Sequence, residues 1–235
     1  MIPWLAATPE FPPVEMALDD PPGLLAAGGA LTPDWLLAAY RRGIFPWFSE
    51  GQPILWWSLD PRLVLYPSAM RVSRSLGKTL RRGAFEVRFD TAFAEVITAC
   101  AGPRDGATGT WITPQMQQAY IAMHELGYAH SVEAWKDGKL IGGLYGMSLG
   151  RVFFGESMFS RASDASKVCL AHLARHLESL NFAVIDCQMT TAHLVSLGAC
   201  EIPRAEFCRL IELHADQGPP PGRWPAGAAA ALFKG

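Results

Sequence analysis

The run Arg151–Gln188 constrains this chain more than any other. Val152-Phe-Phe-Gly155 is short and apolar, Arg161-Ala-Ser-Asp-Ala-Ser166 is polar, and Leu170, Leu173, Leu177 and Leu180 repeat at helical spacing. Val184-Ile-Asp-Cys-Gln188 closes the run. The period switches from two to 3.6 and back, which predicts a strand, a tight turn, an amphipathic helix over 164–180 and a second strand. Three polar side chains in it do not suit packing. Glu156 ends an apolar strand, and Asp186 and Gln188 stand two apart on another, so period-two geometry puts them on one face. That face is the expected active site.

Composition bounds what can surround it. The chain has 235 residues, half of them apolar, which allows one large domain or one domain with a small partner and argues against disorder. A net charge of −2 means that any basic surface is local. Cys100, Cys169, Cys187, Cys200 and Cys208 are odd in number and form no C-x-x-C spacing. Free thiols in a reducing cytoplasm fit them better than a disulfide framework or a zinc site. The first residues lack a basic segment and no stretch reaches about 18 uninterrupted apolar residues, so neither a signal peptide nor a membrane span is expected.

Residues 1–23 read as an extended, proline-rich lead-in with few regular hydrogen bonds. Thr32 and Pro33 mark the start of a helix that Gly43 ends, with Trp35, Leu36, Ala39 and Tyr40 on its apolar face. Phe45, Trp47, Phe48, Trp56 and Trp57 then crowd one short segment, either filling a joint between two units or walling a ligand. Leu63–Tyr66 reads as the first strand of the main domain, which sets the expected domains at 1–62 and 63–235. Arg71, Arg74, Lys78, Arg81, Arg82 and Arg88 stand against Glu86 alone. That is either a solvated helix face, capped by Ser73, or a source of phosphate contacts.

Further on, 85–89 alternates as a strand and 92–101 as a helix. A Gly-rich loop covers 101–110, Trp111 follows it, and Thr113-Pro114 begins a helix running to Gly127. From His130 the pattern is a meander turned by Asp137-Gly138. A short helix over 190–197, a last helix from Pro203-Arg204 and a Pro/Gly-rich tail from Gly218, expected to add little chemistry, complete the chain. The main domain thus reads β-α-β-β-β-α-β plus additions. A mostly antiparallel sheet with a helix between its last two core strands is the arrangement of the Gcn5-related N-acyltransferases, an α+β fold (GNAT-like).

Generic chemistries fit poorly. His172 and His176 have zinc-like spacing, but Leu173 stands where a metalloprotease motif needs Glu. Cys187 should point to the face opposite Asp186 and act as a small apolar residue. Ser157 and Ser160 lack a histidine at fixed local spacing. A coenzyme A loop before the central helix needs glycines for close backbone approach to phosphate, and Asp164 and Ser166 occupy those positions. A carboxylate there disfavours coenzyme A, and Asp164 suits an N-cap instead. Acyl transfer without that carrier, beside a basic segment, is satisfied by an aminoacyl-tRNA.

The motifs make the resemblance specific. Gly23-Leu-Leu-Ala-Ala-Gly-Gly29, Ala39-Tyr-Arg-Arg-Gly-Ile-Phe-Pro-Trp-Phe48, Pro53-Ile-Leu-Trp-Trp-Ser58, Gly109-Thr-Trp-Ile-Thr113, His124-Glu-Leu-Gly-Tyr-Ala-His-Ser131, Phe154-Gly-Glu-Ser-Met-Phe-Ser-Arg161 and Ile185-Asp-Cys-Gln188 fall in order. Together the chain resembles the leucyl/phenylalanyl-tRNA–protein transferases. The resemblance implies a small N-terminal domain on the acyltransferase-like one. It implies transfer of Leu or Phe, with Met a further donor, from its tRNA to proteins beginning with Arg or Lys, which marks them for degradation by the bacterial N-end rule pathway. Asp186, linked to Gln188, would draw the amine proton. Glu156 would hold a cationic amine or guanidinium, or else pair with Arg161. Leu144, Phe153, Leu170, Leu173 and Ile185 would line the side-chain pocket, and Trp47 and Trp111 would flank the terminal adenosine. Arg71, Arg74, Lys78, Arg81 and Arg82 are the expected tRNA backbone contacts. The reading calls for no cofactor, no metal and a monomer. Its rivals are an acyl-CoA N-acetyltransferase and a non-catalytic tRNA-binding module.

Overall fold

The computed structural model describes residues 2–102 and 110–227. In chain order the strands are β1 (Trp4–Leu5), β2 (Leu24–Gly28), β3 (Phe45–Pro46), β4 (Leu55–Trp57), β5 (Arg62–Leu65), β6 (Glu86–Phe89), β7 (Ala129–Lys136), β8 (Lys139–Leu149), β9 (Val152–Ser160), β10 (Val184–Gln188) and β11 (Cys200–Ile202). The α-helices are α1 (Pro33–Tyr40), α2 (Arg74–Arg81), α3 (Phe93–Cys100), α4 (Pro114–Glu125), α5 (Ala165–Ser179), α6 (Ala192–Ser196) and α7 (Arg204–His214).

These strands make two sheets, a small one ordered β1-β2-β4-β3 and a seven-stranded one ordered β11-β5-β10-β9-β8-β7-β6. In the large sheet only the β9–β10 pair is parallel, because α5 carries the chain across between them. Every other neighbour is antiparallel. The expected hairpin forms at Asp137-Gly138, both with positive φ, as its tight turn requires.

Alternation along each strand feeds two cores. Val64, Val152, Phe154 and Val184 face the small sheet, α1, α3, α4 and α7. Leu63, Leu65, Phe153 and Ile185 face α5, whose Leu170, Leu173 and Leu177 form the expected stripe. Burying each such side chain stabilises by about 1.5–3 kcal/mol. The N-terminal residues are not an independent layer: Leu25, Trp35, Tyr40 and Trp56 share one core with the large sheet.

Several local expectations are corrected. The lead-in is partly regular, since β1 pairs in parallel with β2, and β2 itself, a buried Leu24–Gly28, was not expected as a strand. Thr32 and Asp164 occupy N-cap positions without a side-chain cap bond, whereas Ser73 and Thr113 accept from Leu76 N–H and Met116 N–H. Asp164 is left-handed (φ 66) and accepts a 2.9 Å bond from Lys167 instead. The tail is not inert: Trp224 stacks on His130 at 3.9 Å and donates its backbone N–H to Asp90. Residues 103–109 of the Gly-rich loop lie outside the described residues.

Candidate active site

The site is made by two interruptions at the same level of neighbouring strands. On β9, Gly155 pairs with Gly146 and Ser157 with Tyr145, leaving Glu156 as the extra residue of a bulge. On β10, Asp186 pairs with Val64 and Gln188 with Leu63, leaving Cys187 as the extra residue. Bulges re-aim side chains and end regular pairing. The β9–β10 ladder stops at Phe154 and Asp186, so the ends of these two strands separate. A cavity of about 380 Å³ opens there.

Its lining comes from both faces of the sheet. Leu144, Phe153, Leu170, Leu173 and Ile185 form an apolar end on the α5 side, each 4% exposed or less. Glu156, Asp186 and Gln188 stand on the other side with Phe45 and Trp47 of the small sheet and Trp111 before α4. Met158, Met189, Thr191, His193 and Leu194 complete the wall. All ten residues expected at the substrate site therefore line one cavity. The bulge changes the reason for two of them. Gln188 has positive φ (53) and reaches the cavity through the bulge rather than by simple alternation. Cys187 also lines the cavity, contrary to the opposite-face expectation, and burial pushes its thiol up, which makes it a poor nucleophile.

Asp186 is fully buried and held in a fork by Arg62, with Nε to Oδ1 at 2.8 Å and Nη2 to Oδ2 at 2.7 Å. Gln188 N–H also donates to Oδ1 at 3.0 Å. Arg62 donates to the Gly43 carbonyl and lies between the Phe45 and Phe207 rings, 4.8 and 4.7 Å from their centroids. Sequence reasoning missed it. A cation opening the apolar run Arg62-Leu-Val-Leu65 was the available signal, because a buried charge needs a partner. Among the described residues Gln188 Nε2 is buried without a hydrogen-bond partner.

Glu156 is partly buried and does not pair with Arg161. Arg161 turns instead to the Leu140 carbonyl and the Phe159 ring. Tyr40 Oη donates to Glu156 Oε1 at 2.5 Å and Tyr120 Oη to Oε2 at 3.1 Å, and the two hydroxyls touch each other. Burial raises the Glu156 carboxyl to about 7, with the Asp186 charge adding to the rise while the tyrosine bonds and Arg62 oppose it. Tyr40 and Tyr120 come from α1 and α4, far apart in sequence, and nothing local to either one points to this pairing.

A second cleft, about 1080 Å³, adjoins the first through Trp47 and Trp111, with Trp57, Phe48, Glu50 and Gln117 in its walls. On the far side, α2 packs Leu76 and Leu80 on α5. Arg71, Arg74, Lys78, Arg81 and Arg82 are exposed, and among the described residues none of them forms an ion pair. Arg88 differs, since Glu86 neutralises it. Arg71 N–H donates to the Leu197 carbonyl at 2.8 Å, which ties this basic stretch to the segment after the cavity wall. Among the described residues no group of three potential metal ligands occurs, and no helix is long and apolar enough to cross a membrane.

An apolar pocket beside a cluster of hydrogen-bonding groups, with aromatic side chains in its wall, suits a group transferase. Comparison with known proteins makes this specific. The family model described as leucyl/phenylalanyl-tRNA protein transferase matches residues 64–212, and the model of its N-terminal domain matches residues 29–60. Proteins named leucyl/phenylalanyl-tRNA–protein transferase are similar over nearly all of their length. One from Aromatoleum aromaticum is 69% identical, covering 100% of this chain and 99% of that protein. One from an Azoarcus species is 69% identical over 99% of both. One from Nitrosospira multiformis is 61% identical over 91% of this chain and 92% of its own. The chain belongs to the leucyl/phenylalanyl-tRNA protein transferase family.

Proposed function

We propose that this protein transfers Leu or Phe from an aminoacyl-tRNA to the α-amine of proteins beginning with Arg or Lys, marking them for bacterial N-end rule degradation. The cavity carries this reading: one apolar end meets Glu156, Asp186 and Gln188 at its polar end. Leu144, Phe153, Leu170, Leu173 and Ile185 bind the aminoacyl side chain, and an unbranched apolar pocket also admits Met. Trp47 and Trp111 flank the terminal adenosine, where stacking contributes about 1–3 kcal/mol.

The donor ester is already activated, so holding amine and ester together supplies much of the rate and no cofactor is required. Gln188 Nε2, a buried donor without a partner, is available to the ester carbonyl as negative charge develops there. Asp186 fixes the bulge that presents it. Either Asp186 or Glu156 receives the amine proton. The exposed cations of α2, from Arg71 to Arg82, contact tRNA phosphates. A GNAT-like fold, a domain boundary at residues 62 and 63, a monomer and a cytoplasmic location are parts of the same reading.

The test is to mix the protein with radiolabelled Phe-tRNA and a test protein exposing N-terminal Arg, with an N-terminal Ala version as control. Label is expected on the Arg protein alone. No transfer, with Phe-tRNA still bound, would reduce the chain to a tRNA-binding module.

A further inference from the structure

Two carboxylates reach the cavity, and their surroundings give them opposite capacities. Asp186 has both oxygens in the Arg62 fork, and a backbone N–H adds a third bond to one of them. A proton placed on that carboxylate would have to break a buried ion pair. Among the described residues Glu156 meets no cation at hydrogen-bond distance. Each of its oxygens accepts a single phenolic hydrogen bond, which leaves lone pairs unused on both. Its bulge position puts it two residues past the last β9–β10 pair, level with Gln188. Glu156 and Gln188 thus flank the same point of the cavity from adjacent strands.

We propose that Glu156, and not Asp186, takes the proton from the acceptor amine, and that Arg62 and Asp186 act as positioning residues. The inference rests on the transferase reading. The amine nitrogen attacks the ester carbonyl carbon, and the N–C bond forms. One N–H proton passes to Glu156. The bond from carbon to the terminal ribose oxygen then breaks, and Glu156 returns the proton to that oxygen as it leaves. Nothing else is consumed.

Around Glu156 stand Tyr40 of α1, Tyr120 of α4, Arg62 of β5 and Asp186 of β10, with Tyr145 of β8 against the Tyr120 ring. Tyr40 and Tyr120 stabilise the carboxylate by hydrogen bonding, while burial and Asp186 oppose its charge. The balance sets the group near neutrality, where a base can both accept and return a proton. Burial with Glu156 alongside holds the Tyr40 and Tyr120 hydroxyls well above their usual range, so both remain donors throughout this window.

The experiment is the pH dependence of single-turnover transfer from Phe-tRNA to an Arg-initiated peptide at saturating concentrations. Wild type, Glu156→Gln, Glu156→Ala, Tyr40→Phe and Asp186→Asn are compared, with folding checked by thermal melting. Wild type is expected to show a rising limb near 7. Glu156→Gln, which keeps the shape of the side chain, is expected to lose 10²–10⁴-fold in rate and to lose that limb, leaving the acceptor amine's own ionisation. Tyr40→Phe removes a bond that stabilises the carboxylate, so its limb moves to higher pH. Formate is expected to restore rate to Glu156→Ala. Asp186→Asn is expected to keep a limb, moved to lower pH because the neighbouring negative charge is gone, whatever its rate. A Glu156→Gln enzyme with the wild-type limb and near-wild-type rate, or an Asp186→Asn enzyme without the limb, overturns the proposal. Absence of transfer in the wild type would instead overturn the transferase reading.

Discussion

At the scale of single residues, the site depends on charges that the fold must hold out of water. Arg62 and Asp186 are 0% exposed, and each is compensated chiefly by the other. Removing one partner leaves a buried charge, which costs about 3–5 kcal/mol. Arg62→Ala is therefore expected to lower the urea midpoint substantially, and Asp186→Ala by a similar amount. Loss of transfer in Asp186→Ala accordingly has to be read beside its stability. A double variant replacing the pair with Met and Leu is expected to recover much of the stability and none of the activity. Glu156 gives the opposite kind of dependence. Its folded value of about 7 lies above its ordinary 4.5, so the folded protein binds the extra proton. Its favourable contribution is fully present below about 4.5 and is lost as pH rises through 7. Glu156→Gln removes this loss. Relative to wild type it is expected to gain stability between pH 4.5 and 7, on the order of 2–3 kcal/mol by linkage. Urea titrations at both ends of that range check it, and parallel curves for the two proteins would exclude it.

At the scale of elements, the two bulges matter more than any one strand. Glu156 and Cys187 are both extra residues, on parallel neighbours, and the cavity lies where their pairing ends. Gly146 is the partner that permits the first bulge. A Cβ there would stand 2.2 Å from the Phe154 carbonyl oxygen and 2.6 and 2.7 Å from Phe153 ring atoms, and Phe153 lines the apolar end. Gly146→Ala is expected to destabilise by about 1–3 kcal/mol through overpacking. It should also raise KM for Phe-tRNA more than for Leu-tRNA, because the displaced ring narrows the pocket. Kinetics with both donors decide this, and an unchanged ratio would show that the pocket does not sense the bulge. The tail is a second element whose weight exceeds its composition. Trp224 packs edge-on or stacked against Phe89, Phe153, His130 and His176. Trp224→Ala is expected to lose about 3–5 kcal/mol in chemical denaturation.

At the scale of the whole molecule, charge is separated from chemistry. The net charge is −2, yet α2 and the residues flanking it present five exposed cations that no carboxylate neutralises among the described residues. If these meet tRNA phosphates, binding weakens steeply with salt. Replacing Arg74 and Lys78 by Ala is expected to flatten the plot of log affinity against log salt by roughly 0.7–0.9 per residue. Transfer at saturating tRNA should stay near wild type, since neither side chain lines the cavity. The long repeating signals were legible in advance: the leucine stripe of α5, the hairpin at Asp137-Gly138 and the start of α4 at Thr113-Pro114 follow from local period and turn chemistry, whereas the apolar pocket residues came only from the family resemblance. Glu156, Asp186 and Gln188 stood out because polar groups at the end of apolar strands are costly to bury. What the sequence alone could not determine is how those groups are poised. Tyr40 lies 116 residues from Glu156 and Arg62 lies 124 from Asp186. Such pairings come from the packing of α1 and α4 on one sheet face and from the register of β5 beside β10, and no local pattern encodes them. The bulges were equally hidden, because a single extra residue leaves alternation intact on both sides of it. Sequence thus pointed to the polar groups at the strand ends, and tertiary structure decided which carboxylate is locked by a cation and which is held by tyrosine hydroxyls, because those partners meet only when distant elements pack together.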